Sequence, residues 1–137
     1  MTVAKQRIDE SWQELLAILE RVPDGRLEEE GACGEWSVKD VMAHVAFWDD
    51  RAVLVADTLG AGQEIEPFDW EEANTQEAAL RATWTAEESR REMHAAHERL
   101  LEALDRHPDL PDEAWKENTF EHYTEHAEDI RAWLDNA

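Results

Sequence analysis

The residues best suited to chemistry in this chain are three histidines in two distant segments. His44 closes the run Trp36-Ser37-Val38-Lys39-Asp40-Val41-Met42-Ala43-His44, while His122 and His126 stand four apart in Glu121-His122-Tyr123-Thr124-Glu125-His126. Residues four apart on a helix share a face, so His122 and His126 can reach one ion, and a neighbouring helix can bring His44 to the same point. Three neutral imidazoles with a vacant fourth position form an open site at which zinc or nickel binds water, a thiol or substrate. Spacing alone is a weak signal, because six histidines placed at random give roughly 0.4 pairs at a three- or four-residue interval. His94 and His97 form a second such pair. The plain alternative for all of them is a polar side chain hydrogen-bonded at the margin of a core.

The elements that must position these histidines are helices. Ile8, Trp12, Leu15, Leu16 and Leu19 recur at three- and four-residue spacing and predict a first helix from about Val3 to Arg21, ended by Val22-Pro23-Asp24-Gly25. Ser37 with Asp40 three residues on is a capping-box signal for a second helix reaching about Leu59. Its apolar row is Val38, Val41, Val45, Trp48, Ala52 and Val55, and His44 lies at the edge of that row. Gly60-Ala61-Gly62 opens the longest connection, a crossover or a lid, and a short helix from Asp69 to about Thr83 lies within it, with Trp70, Ala73, Glu77, Leu80 and Trp84 on heptad spacing. Thr85 and Glu88 cap a third main helix striped by Met93, Ala96, Leu100 and Leu104 and stopped by His107-Pro108. A last helix begins near Asn118 or Thr119 and turns Phe120, Tyr123, Ala127, Ile130 and Leu134 inward. The expected fold is all-α: a four-helix bundle with a long crossover between its second and third main helices and a short extra helix in that crossover.

Composition narrows the partners. The 137 residues suit one domain spanning 1–137 with one core. The chain carries 34 acidic against 13 basic residues, a net charge of −21, which excludes the clustered Lys and Arg of a nucleic-acid footprint. No run approaches the roughly 18 apolar residues of a membrane span, and the N-terminal residues open into polar sequence rather than a signal peptide. A single cysteine, Cys33, leaves no internal disulfide, so a cytoplasmic protein is expected. Seven tryptophans can build flat apolar walls, and Trp36, Trp48, Trp70 and Trp84 are candidates to line a small-molecule pocket.

The segment Trp36 to Trp48 resembles the second-helix signature of the DinB/YfiT superfamily, with its Trp-Ser opening, apolar stripe and metal-binding His. Glu121 to Trp133 is similar to that superfamily's helix with two histidines four apart, and its wording lies nearest the ClbS/DfsB-like branch. The resemblance implies a four-helix bundle with a long crossover, often a homodimer, in which His44, His122 and His126 hold a divalent metal. It further implies hydrolysis, or transfer involving a low-molecular-weight thiol such as mycothiol or bacillithiol. The ClbS-like branch implies an alternative, a metal-free resistance protein that binds or hydrolyses a toxic electrophile. On the metal reading, Asp40, Glu125 and Asp129 are candidates to orient the imidazoles, and Tyr123 is expected to pack.

Overall fold

The computed structural model describes residues 3–136. Its helices are α1 (Val3–Glu20), α2 (Val38–Gly60), α3 (Trp70–Arg81), α4 (Ala86–Arg106), α5 (Glu113–Lys116) and α6 (Phe120–Asp135), with a 3-10 turn at Asp24–Arg26. Among the described residues there is no strand, only an isolated bridge between Cys33 and Trp36. None of these helices is long and apolar enough to cross a membrane. The expected all-α bundle with its crossover helix is what forms, and α5 is an addition that four residues could not announce by periodicity.

The bundle consists of two helix pairs, α2 with α4 and α1 with α6. In both, the partners run parallel. Asp50 pairs with Arg99 and Asp57 with Arg106, so position along α2 rises with position along α4. Arg7 lies over Phe120, Glu14 meets Arg131 and Arg21 meets Asp135, giving the same sense to α1 and α6. Parallel packing of α2 and α4 forces the chain to climb back along the 23 residues of α2, about 34 Å at 1.5 Å per residue, before α4 can start. Residues 61–85 make that climb, and α3 lies within them.

α2 carries two adjacent stripes. Val38, Met42, Val45, Asp49, Ala52 and Ala56 are buried against the core, whereas His44, Trp48, Arg51 and Val55, one step round the helix, face a cavity. α6 divides in the same way: Tyr123, Ala127 and Ile130 are buried, while His122, Glu125 and His126 meet the cavity. The core is completed by Ile8, Trp12, Leu15 and Leu19 of α1 and Met93, Leu100 and Leu104 of α4.

The heptad row expected on α3 does not pack. Leu80 is 72% exposed and Trp70 57% exposed, and no residue of this helix is buried. Polar contacts fix its rotation instead. Arg81 donates to the Ala43 carbonyl and pairs with Glu77, and Asn74 accepts from the Trp48 indole at 2.9 Å. These turn Asn74, Glu77 and Arg81 toward α2 and leave Leu80 on the outer margin.

Both expected capping boxes are present. Ser37 Oγ accepts from the Asp40 N–H while the Asp40 carboxylate accepts from the Ser37 N–H, and Thr85 and Glu88 repeat the arrangement on α4. Ser37 is buried, whereas Thr85 is exposed. Replacing Ser37 by Ala should therefore cost about 1–2 kcal/mol, and Thr85→Ala about 0.5–1 kcal/mol, both read from urea midpoints at unchanged slope.

Candidate metal centre

Three imidazoles converge where α2 meets α6. Nε2 of His122 lies 2.9 Å from Nε2 of His44 and 2.9 Å from Nε2 of His126. All three belong to two neighbouring helices whose apolar faces are already committed to the core, so their directions are set by packing rather than by the imidazoles themselves. Each ring nitrogen presents one in-plane proton or one lone pair. A central cation accepts all three lone pairs at once, whereas a proton between two rings leaves the third nitrogen poorly matched. Nitrogens at about 2.0–2.1 Å from a tetrahedral zinc stand about 3.3 Å apart, so this donor set fits a divalent transition ion after a small outward relaxation.

The electrostatics favour neutral rings. Burial pushes His44 down to about 3, helped by the neighbouring His126 and Arg81 charges. His122 falls to about 2, again chiefly through burial, with His126 and His44 adding to it. Burial also lowers His126, against the opposing pull of Asp129 and Glu125. At neutral pH the three lone pairs are free to bind.

Behind His126 lies a carboxylate. Asp129 Oδ2 stands 3.4 Å from His126 Nδ1 and accepts from the Cys33 thiol at 3.3 Å. Cys33 Sγ is itself 3.7 Å from His126 Nδ1. Burial, and then the hydrogen bond to Asp129, push the Cys33 thiol up to about 12, which keeps it protonated and a donor rather than a nucleophile. Of the three carboxylates that the sequence offers for orienting imidazoles, Asp129 is the one in position. Asp40 is occupied by the α2 capping box, and Glu125 lies on the cavity wall. His122 differs from His126 in that its Nδ1 is buried without a partner among the described residues.

The imidazoles form the floor of a cavity of about 610 Å³. Trp48, Phe68 and Trp70, from α2 and the crossover, line it together with Glu113, Glu117 and Asn118, from α5 and the turn that follows it. Trp48 and Trp70 are therefore where the sequence suggests. Trp36 packs edge-on to His44 at 4.5 Å between ring centres but borders a separate small recess, so it supports the His44 ring without lining the main cavity. Trp84 is removed from the site. It follows the end of α3, within 5.0 Å of the Arg81 guanidinium, and borders a shallow depression on α4 instead. Trp84 lies beyond the last residue of α3, on the turn into α4, and so is not on the face that Asn74 and Arg81 turn toward α2. Phe68, Asn74, Arg51 and the residues around α5 are wall residues that carry no periodic signal of their own.

A second polar cluster lies deeper. Asp49 is fully buried and accepts from the Tyr123 hydroxyl at 2.7 Å, and that hydroxyl lies 3.1 Å from His97 Nδ1. His97 in turn stacks on Trp12, with ring centres 3.8 Å apart. Tyr123 packs as expected but also anchors this network, and His97 takes a core role rather than a ligand role. Burial pushes the Asp49 carboxyl up to about 6, against the hydrogen bonds from His97 and Tyr123. The sequence signal for it is an acid at the Val38-Met42-Val45-Asp49-Ala52-Ala56 register, where every neighbour on the stripe is apolar.

These shifts set a pH dependence. The unfolded chain protonates His44 and His122 below about 6.5, whereas the folded chain keeps them neutral down to about 3 and 2, and His126 is shifted in the same direction. Folding is thus favoured above pH 6.5 and loses about 1.4 kcal/mol per pH unit for each of His44 and His122 as the pH falls below it. Asp49 acts oppositely, since its raised value favours the folded state as pH drops below about 6, and one carboxyl offsets one imidazole. Urea midpoints measured in chelator should therefore fall steadily from pH 6.5 to 4.5, and His122→Gln should flatten that slope by about one proton's worth.

Comparison with known proteins follows the geometry. No curated protein matches the chain. An uncharacterised protein from Escherichia coli UTI89, known from its crystal structure, superposes with a TM-score of 0.82 at 16% sequence identity, over 97% of this chain and 91% of that one. At that identity the likeness is one of fold. The sequence pattern of the DinB superfamily matches residues 7–135, which include every histidine of the triad, and the chain belongs to the DinB superfamily.

Proposed function

We propose that this chain is a metal-dependent enzyme acting on a small electrophilic molecule, with His44, His122 and His126 holding a divalent ion, zinc or nickel. The observation that carries the reading is the convergence of three neutral imidazole Nε2 atoms in the lining of a cavity large enough for a small molecule. A divalent ion bound there supplies Lewis acidity and lowers the proton affinity of whatever occupies its open position. The protein's own groups do the rest. Asp129 draws on the Nδ1 proton of His126 and fixes that ring's tautomer and direction. Trp48, Phe68 and Trp70 hold the apolar body of the substrate and exclude water from one side of the floor. Hydrolysis and transfer to a low-molecular-weight thiol are the two reactions this arrangement accommodates.

A second reading, a ClbS-like metal-free protein that sequesters or hydrolyses a toxic electrophile, is favoured by the aromatic wall, which needs no ion to bind a flat ligand. Tight ligand binding that persists in chelator, with no turnover after metal is restored, would select it.

Elemental analysis of protein purified without chelator tests the metal reading. The wild type should carry about one ion per chain, and His44→Ala and His126→Ala should carry about tenfold less while keeping the helical circular dichroism of the wild type. Full occupancy in either variant would sink the ligand assignment. Asp129→Asn should retain the site but raise the metal dissociation constant by about 10–100-fold, since it removes only the group that orients His126.

A further inference from the structure

The walls above the imidazoles differ in character. α2 and the crossover contribute the aromatic rings of Trp48, Phe68 and Trp70. α5 and α6 contribute carboxylates: Glu113 and Glu117 stand four apart at α5, and Glu125 follows one turn after His122 on α6. All three carboxylates are exposed to the cavity and its mouth, and among the described residues none forms an ion pair with a Lys or Arg. The nearest lysine in sequence, Lys116, is turned to Glu121 at 3.8 Å and does not line the cavity. Arg51 is the one Lys or Arg in the lining, and its guanidinium lies over the Phe68 ring at 3.9 Å, on the aromatic side. Three unpaired negative charges against one positive charge leave the walls with a net excess of negative charge. A concave, partly apolar enclosure concentrates such a field better than a flat surface does.

We infer that this cavity selects small molecules in which a flat apolar body carries a cationic nitrogen: the body stacks on the tryptophan and phenylalanine wall, and the nitrogen meets Glu113, Glu117 and Glu125. The indole faces of Trp48 and Trp70 add a favourable quadrupole for the same cation. The inference rests on the cavity being the substrate site but not on the ion. An ion on the imidazoles adds positive charge at the floor and leaves the carboxylates of α5 and α6 in the lining, so on this inference the substrate's reacting end points to the histidines and its cationic end to those carboxylates.

Because the whole chain has a charge of −21, the local effect must be separated from the global one. Equilibrium dialysis in chelator, at low salt, would compare naphthylmethylammonium, naphthylmethanol and naphthylacetate, three probes with one aromatic body and different charge. The proteins are the wild type, the triple variant Glu113→Gln/Glu117→Gln/Glu125→Gln, and a control of equal net charge, Glu20→Gln/Glu87→Gln/Glu102→Gln, whose sites are exposed on α1 and α4. The wild type and the control should bind the ammonium probe at least about tenfold more tightly than the carboxylate probe, a preference that shrinks with added salt, and the cavity variant should lose most of it. A preference that survives in the cavity variant, or is lost equally in the control, would assign it to the overall charge and overturn the inference. Equal or tighter binding of naphthylacetate, or no binding of any probe, would overturn it too. Metal binding is measured separately: a chain that binds zinc but shows no cation preference loses this inference alone, and one that shows the preference but binds no metal loses only the metal reading.

Discussion

Three imidazoles can be held together with one Nε2 only 2.9 Å from each of the other two, largely out of solvent, only if they stay uncharged, and much of this bundle serves that condition. A buried protonated ring beside two others would combine desolvation with like-charge repulsion, and both push toward the neutral form. The architecture supplies the burial through α2 and α6, each of which turns one stripe to the core and an adjacent stripe to the cavity. The three rings therefore sit on rigid elements that are fixed by packing elsewhere. Such support is what allows a site to keep its shape before any ligand arrives.

The interior holds a second polar group under a different rule. Asp49, Tyr123 and His97 share their hydrogen bonds without opening to the cavity, and Trp12 closes the far side by stacking on His97. Buried polar groups of this kind tolerate few alternative arrangements, because each broken partner leaves an unsatisfied atom in a medium of low polarity. Asp49 comes from α2, His97 from α4, Tyr123 from α6 and Trp12 from α1. The cluster thus ties the four long helices together at one level of the bundle and fixes the relative rotation of the two that carry the triad.

How far the sequence could be read follows from where the determining forces lie. Helix extents and caps are local, and the Ser37 and Thr85 boxes announce them directly. The triad was legible because its residues sit at the edges of strong apolar rows and because the segments around them resemble a known superfamily; spacing alone did not distinguish His122 and His126 from His94 and His97, which have core and surface roles. Asp49 is masked among the 34 acidic residues of the chain, although its register along an apolar stripe marks it. The cavity walls were the least legible part. α3 is oriented by Asn74 and Arg81, through polar contacts to residues 26 and 38 positions away in the chain, so its heptad row does not pack and Trp84 lies outside the site. α5 is too short for any period, and its glutamates are indistinguishable by composition from the other acids of a strongly acidic chain.

The parallel pairing of α2 with α4 divides labour along the chain. A return segment is unavoidable in this topology, and here that obligatory stretch, residues 61–85, also supplies Phe68, Trp70 and Asn74 to the cavity while contributing no buried residue from α3 to the core. Part of the cavity wall is consequently encoded apart from the histidine-bearing helices. Drift, loop exchange or insertion between residues 61 and 84 can recast that part of the wall without touching a buried residue. One scaffold can in this way present different walls above the same three histidines.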